Sequence, residues 1–168
     1  VVVGGEVTNI PDYLFKDCSA LATLTLGANV TSIGQQAFYG TALKSVTIPA
    51  KVTELGADAF GNCSALASVE YNATNAAYSG TTALFVSASA ITVGDGVTNI
   101  PSYFAQGNEV ITSITLPSGV HVGDYAFQNC TALATIVGYD TVGSIGAASF
   151  EGSKYYEENV ADGVQIQG

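Results

Sequence analysis

The chain has 168 residues, of which 48% are hydrophobic and 11% charged; only four are Lys or Arg, and the net charge is −10. Nucleic acids and anionic membranes are recognised by clustered positive charge, so this balance argues against both as partners. The longest apolar run, residues 83–93, is too short and too polar to span a bilayer, so we expect no membrane insertion within the chain.

A long repeat organises the chain. Residues 7–13, VTNIPDY, return as residues 97–103, VTNIPSY, an offset of 90 residues. Such self-similarity indicates a stack of near-identical coils, none of which can bury its apolar side alone. We therefore predict a single solenoid domain over residues 1–168, made of two related modules at 1–90 and 91–168, with an irregular insert at 72–90.

Within each module a unit of 22 or 23 residues recurs, and it opens with an extended Val-Thr-x-Ile segment. Examples are Val7–Ile10, Val30–Ile33 and Val52–Leu55. The next residues, such as Gly34–Phe38, are predicted to hold one helical turn. Each unit then reaches a polar corner such as Asn62-Cys63, where an Asn or Asp side chain can bond nearby backbone N–H groups.

Each unit ends in alternating apolar and polar residues, as in Val46–Ile48 and Ile114–Leu116. Period-2 alternation predicts a short half-buried strand with Leu and Ile on one face and Thr on the other. Stacked in register, these strands are expected to form one parallel sheet with a polar outer stripe. The candidate binding residues of this stripe are Thr23, Thr25, Ser45, Thr47, Ser68, Glu70, Ser113, Thr115 and Thr135.

Two interpretations of the stripe remain open. Solenoids use such extended faces for binding, but Thr also simply suits an exposed strand. Interface hot spots are usually Trp, Tyr or Arg, and the stripe has none, so we do not expect tight binding by the stripe alone. Lys44, Tyr39 and the loop around Tyr78 are possible further anchors.

Residues 72–82 lack the repeat pattern, which predicts a loop or a degenerate coil at the junction of the modules. Leu84–Val86 and Ile91–Val93 are expected to form a hairpin-like pair, the second strand being equivalent to Val1–Val3. Because Val1–Val3 has the pattern of an uncovered repeat strand, we expect further repeats or a cap to precede it, or edge contacts between molecules.

The sequence contains few cysteine and histidine residues, which can form disulfides, catalyse reactions or bind metal ions. Cys18, Cys63 and Cys130 share one repeat position, and Cys18 and Cys63 belong to coils two apart, about 10 Å at 4.8 Å per coil, so no disulfide is expected. The thiols are predicted to fill a corner of the stack. His121 is the only histidine, with no Ser or Cys partner indicated by sequence, so neither catalysis nor a zinc site is predicted.

The carboxylates, one or two per coil, indicate a solvated surface. Calcium is a weak possibility, because neither an EF-hand loop nor a glycine-rich calcium repeat is present. No cofactor and no metal ion are predicted.

The units resemble the BspA-like leucine-rich repeats, best seen in residues 30–38 and 123–133. Departures are Ala105 at the Phe position and Thr41 and Asn108 at the Cys position. Residues 155–164 also look like a stretch that follows repeats in this family. The resemblance implies a leucine-rich-repeat solenoid, a right-handed coil that is mainly β, with one parallel sheet and with short turns or 3₁₀ or helical turns on the other side.

The resemblance also implies an extracellular or cell-surface location; no signal peptide is visible in the chain itself, so this expectation depends on the resemblance alone. The function expected from it is non-enzymatic: adhesion to a host extracellular protein or glycan. The alternative is a structural spacer that presents another domain. The sequence names neither a particular partner nor an oligomeric state.

Overall fold

The computed structural model describes residues 1–161. Its strands, in chain order, are β1 (Asn9–Ile10), β2 (Ser32–Ile33), β3 (Ser45–Ile48), β4 (Glu54–Leu55), β5 (Ser68–Tyr71), β6 (Ala77–Tyr78), β7 (Ala90–Val93), β8 (Asn99–Ile100), β9 (Ser113–Thr115), β10 (His121–Val122), β11 (Thr135–Val137) and β12 (Ser144–Ile145). A 3₁₀ helix spans Tyr139–Thr141 and one α-helix, α1, spans Lys154–Ala161.

The strands form two stacks of parallel pairs, which confirms the predicted solenoid. The long-strand ladder contains β3-β5-β7 and β9-β11. The short-strand ladder contains β1-β2-β4-β6 and β8-β10-β12, all built from the Val-Thr-x-Ile segments and their equivalents. The prediction of one sheet was therefore incomplete: both extended segments of each unit pair with their copies in the neighbouring coils, because stacking satisfies the backbone groups of both.

The alternation predicted for the long strands is present in the structure. In β3 the side chains of Val46 and Ile48 are buried whereas those of Ser45 and Thr47 are exposed, and β5 and β7 repeat this pattern. The register aligns Val46 with Val69 and Val69 with Ile91. Apolar side chains of successive coils therefore form columns inside the stack.

A column of phenylalanines fills the interior on the turn side of the coils. Adjacent ring centroids are 5.2 to 5.9 Å apart along Phe15, Phe38, Phe60, Phe85, Phe104, Phe127 and Phe150. Phe38, Phe60 and Phe127 are at most 2% exposed. They share one environment, as a stacked solenoid requires.

Residues 72–90 form a coil of the stack and contain no hairpin. Ala77–Tyr78 pairs in parallel with β4, and Phe85 enters the phenylalanine column between Phe60 and Phe104. Residues 84–86 are turns and bends, so the predicted pair with 91–93 is wrong: β7 pairs in parallel with β5 instead. Burying Leu84 and Phe85 in the core outweighs the local hairpin pattern.

Within this coil the strand pairing of the short-strand ladder changes register by two residues between its two neighbours. Glu54 pairs with Ala77, but Asn99 pairs with Asn75 through an isolated bridge. Because successive side chains of a strand alternate between faces, a shift of two residues keeps the same face outward. The two modules therefore stack without turning the apolar column toward solvent.

Glycines follow the short strands where adjacent coils approach most closely. A Cβ on Gly56 would lie 2.2 Å from the Gln35 backbone nitrogen, and one on Gly123 would lie 2.5 Å from the Ser102 backbone nitrogen. Any side chain here would force the coils apart. This close approach explains the Ile-Gly pairs of the repeat.

Helix α1 follows the last coil. The Ser153 hydroxyl oxygen accepts a hydrogen bond from the Tyr156 N–H at 3.1 Å, as an N-cap does. Tyr155 and Tyr156 pack against the core. The helix lies in the stretch whose pattern resembles the family's post-repeat segment; residues 162–164 of that stretch lie outside the described residues.

Candidate functional site

The nine predicted stripe residues are all exposed. Ser45 aligns with Ser68 and Thr47 with Glu70 on β3 and β5, and Ser113 aligns with Thr135 on β9 and β11. Thr115 lies on β9 two residues beyond Ser113. Thr23 and Thr25 precede β3, where Thr25 forms a parallel bridge with Val2 and the Thr23 carbonyl accepts a bond from the chain's amino group at 2.9 Å.

The structure adds members that the sequence pattern missed. Ala90 and Thr92 of β7 lie beside Ser68 and Glu70 and continue the stripe at the end of the segment predicted to be irregular and just beyond it. Val137 stands beside Thr115 and is 54% exposed, so the stripe becomes apolar at this end. The signal that could have located Thr92 is its 22-residue offset from Glu70.

Glu70 is the stripe's one charged side chain, and its neighbours hold it in place. The Thr47 hydroxyl donates to one carboxylate oxygen at 3.0 Å, and the Asn72 amide donates to the other at 3.1 Å. A groove of about 620 Å³ opens at the carboxyl ends of these strands, between Thr47, Asn72 and Asp95. The stripe thus presents an oriented acceptor next to a concave surface.

His121 has a neighbour that the sequence did not reveal. Ser144 pairs with His121 across β10 and β12, and its Oγ lies 2.6 Å from the imidazole Nδ1. Both residues are exposed on an open ladder, and no carboxylate in residues 1–161 hydrogen-bonds to the ring. General-base catalysis uses a shaped, water-poor site, whereas this pair lies on an exposed face of the ladder.

The cysteine corner is a polar position as well as a packing position. Cys63 donates to the Phe38 carbonyl and Cys130 to the Ala105 carbonyl, both at 3.1 Å, one coil back. Burial raises the pKa of both thiols, that of Cys130 to about 12. All three cysteines are free, and Cys18 is exposed. Interpretation of the thiols as apolar filling alone was therefore incomplete.

Two exposed carboxylates also accept hydrogen bonds from the neighbouring coil. Asp12 Oδ1 accepts a bond from the Gln35 N–H, and Asp124 Oδ1 from the Ala147 N–H, both at 2.7 Å. In both pairs the donor belongs to the next coil. Both residues are exposed, as the solvated-surface interpretation predicts, and each carboxylate in addition satisfies a backbone donor where coils meet.

Residues 1–161 hold few groups suited to metal ligation or to spanning a membrane. No group of three or more His, Cys, Asp or Glu side chains in this range is arranged to hold a metal ion. Nor does any helix in it have the length and apolar character needed to cross a membrane.

The solenoid, its exposed polar stripe and its cysteine corner define a leucine-rich repeat protein. The sequence matches the BspA type Leucine rich repeat region in six copies, over residues 1–106 and 53–157. The chain therefore belongs to the BspA-type leucine-rich repeat family. A search of curated proteins found no match.

Solved structures of bacterial leucine-rich repeat proteins share the fold. The T. pallidum protein is 22% identical over 99% of this chain and 83% of its own, with a TM-score of 0.75. The Eubacterium ventriosum protein is 26% identical over 91% of this chain and 42% of its own, with a TM-score of 0.73. The Bacteroides ovatus protein is 24% identical over 96% of this chain and 50% of its own, with a TM-score of 0.66. The chain thus spans half or less of the last two proteins.

Proposed function

We propose that the chain is a non-enzymatic binding domain of a secreted or cell-surface bacterial protein, and that its stripe contacts a host extracellular protein or glycan. The observation that supports this most strongly is the continuous exposure of the stripe across both parts of the long-strand ladder. Parallel pairing and the packed core beneath hold these side chains at fixed spacing. A rigid surface binds with little loss of conformational entropy.

The chemistry of the stripe favours a polar partner of moderate affinity. Its hydroxyls donate and accept hydrogen bonds, and Glu70 provides an oriented carboxylate. The open His121–Ser144 pair gives no support to a hydrolytic role. Membership of a repeat family whose fold is typically non-catalytic agrees with this proposal.

A test of the proposal is solid-phase binding of the chain to a panel of extracellular matrix proteins and glycans. Ser113→Arg would place a long charged side chain on the stripe and should reduce binding at least about tenfold, by steric exclusion. Ser118→Arg is the matched control, because Ser118 is exposed in the following turn of the same coil. Equal binding by both variants would contradict the role of the stripe.

A structural spacer is the second candidate function, and the absence of Trp, Tyr and Arg from the nine stripe residues favours it. A spacer should bind no member of the panel at any concentration tested. Binding that Ser113→Arg abolishes would exclude a purely mechanical role.

A further inference from the structure

We propose that a second groove, on the short-strand ladder, binds a linear neutral oligosaccharide. The groove has a volume of about 580 Å³ and crosses four consecutive coils, from Asn9 and Asp12 in the first to Tyr78 in the fourth. It lies on a different ladder from the stripe, so this site is independent of the proposed function.

The floor of the groove is backbone with very small side chains. Gly34 and Gly56 lie here, and a Cβ on either would come within 2.5 Å of atoms of the preceding coil. The next coil contributes the small side chains of Ala77, which pairs with Glu54, and of Ser79. Because the positions of Gly34 and Gly56 exclude larger side chains, the groove stays open across these coils.

The backbone of this ladder is already paired, which determines what the groove can recognise. β1, β2, β4 and β6 bond to one another in order, and the groove runs across them. An extended peptide recognises a sheet chiefly by adding a strand to a free edge; β1 lies at such an edge, but β2 and β4, in the middle of the groove, are paired on both sides. A ligand lying across the strands must be bound by side chains.

The available side chains are those that bind sugar hydroxyls. Gln35 and Glu54 are exposed, and Asp12 is fixed by its bond to the Gln35 N–H at 2.7 Å. Planar amides and carboxylates present paired donors and acceptors that match neighbouring hydroxyl groups. Two carboxylates line the groove and no Lys or Arg does, so the charge favours a neutral ligand over a sulfated or uronic acid chain.

Tyr78 is the aromatic element at the far end. Its hydroxyl donates to the Thr82 carbonyl at 3.0 Å and accepts from the Asp58 N–H at 3.3 Å, and Thr82 also donates to the Asp58 carboxylate. The half-buried ring is thereby fixed before any ligand arrives. Fixed aromatic rings bind the C–H faces of sugars with little entropic cost.

The spacing of the groove agrees with a sugar chain. Successive coils are about 4.8 Å apart, close to the length of one pyranose unit in an extended chain. Four coils therefore accommodate about three sugar residues, each facing equivalent positions of successive repeats. The distance between successive coils of the protein therefore matches the length of one sugar residue of the ligand.

The experiment is an NMR titration of the ¹⁵N-labelled chain with cellotriose and chitotriose, with a sulfated heparin tetrasaccharide as the anionic comparison. We expect at least one neutral trisaccharide to shift the amide signals of Gln35 and Glu54. Gln35→Ala and Glu54→Gln should each weaken that binding about tenfold, the loss expected for one hydrogen bond to a charged or well-oriented group.

Glu109→Gln is the matched control, because Glu109 is exposed and does not line the groove. Both groove substitutions are at exposed positions, so a thermal melt should show intact folding. The proposal is overturned if neither trisaccharide binds, if only the sulfated chain binds, or if Glu109→Gln weakens binding as much as Glu54→Gln. Binding that is instead lost in Ser113→Arg would assign the sugar to the stripe and overturn the groove.

Discussion

A single residue position shows how the repeat tolerates different chemistries. Cys63, Asn108 and Cys130 occupy one corner, and each donates to the carbonyl at the phenylalanine position of the preceding coil, namely that of Phe38, Phe85 or Ala105. Asn108 forms four hydrogen bonds although it is fully buried. The position requires a small side chain with a donor, which thiol and amide both supply.

The cysteines give a prediction at the residue scale. Alkylation of the native chain by iodoacetamide near neutral pH should modify Cys18 and leave Cys63 and Cys130 intact, because the thiolate is the reactive form and burial raises the pKa of both buried thiols. Peptide mass spectrometry before and after denaturation measures this. In Cys18→Ser the native chain should not react, and rapid labelling of Cys130 in that variant would contradict the buried corner.

The same thiols give the stability a pH dependence. The folded pKa of Cys130 lies above the ordinary value of 9.0, so the folded state retains a proton that the unfolded state releases. The contribution of this group is fully present below about pH 9 and is lost as the pH rises toward about 12.

At the scale of the coil, the phenylalanine column tolerates a change of order. Phe104 and Ala105 reverse the Ala126-Phe127 order of the next coil, yet the Phe104 ring still occupies the column. It lies edge-on to Phe85 and Phe127, at 81° and 66°, where Phe127 and Phe150 are parallel within 1°. Aromatic pairs are favourable in both geometries, so the core adapts by rotating one ring. Ala105 does occupy the position at which other coils have Phe, but the ring of the adjacent residue, Phe104, fills that place in the column.

The second prediction concerns the buried inner face and the exposed outer face of each coil. Phe60→Ala should lower the free energy of unfolding by about 3–5 kcal/mol, because it opens a cavity between Phe38 and Phe85. Thr47→Ala is the control on the exposed face and should change it by no more than about 0.5 kcal/mol. Urea denaturation followed by circular dichroism measures both. Similar losses in the two variants would contradict the assignment of an inner and an outer face.

At the scale of the whole molecule, charge is distributed unevenly. Three of the four basic residues, Lys16, Lys44 and Lys51, lie in the first 51 positions, whereas the 14 acidic residues are distributed over the whole length. The one ion pair among residues 1–161 joins Lys154 to Glu158 at 3.8 Å on the surface of α1. Most carboxylates therefore repel one another with little compensation.

This imbalance gives the third prediction. Raising NaCl from about 0.01 M to about 1 M should raise the thermal midpoint, because shorter Debye lengths screen the repulsion within the folded stack. The control is the same titration near pH 4.1, the isoelectric point of the chain, where the net charge is close to zero and the salt effect should shrink. A midpoint that falls with salt at neutral pH would contradict net repulsion as the dominant charge effect.

Much of the fold could be predicted because the same pattern of apolar and polar residues recurs in several units of the chain. The alternation around Val46 and Ile114 predicts strands, and its recurrence every 22 or 23 residues predicts their parallel stacking. Exposure of the stripe follows from that alternation alone. Its binding role remains a prediction, because exposure supplies a surface but not a partner.

The remaining features depend on contacts between coils. The pattern predicted an irregular insert at residues 72–90, a loop or a degenerate coil, and only the burial of Phe85 and the pairing of Ala77–Tyr78 show that it is a coil of the stack. The neighbourhood of His121 and Ser144, and the groove between Asp12 and Tyr78, arise only when strands 22 or more residues apart come into register. The sequence by itself determined the period, the inner face and the family of this protein, since those are local and repeated. Only the tertiary structure decided which side chains meet across coils, because register is set by packing of the whole stack.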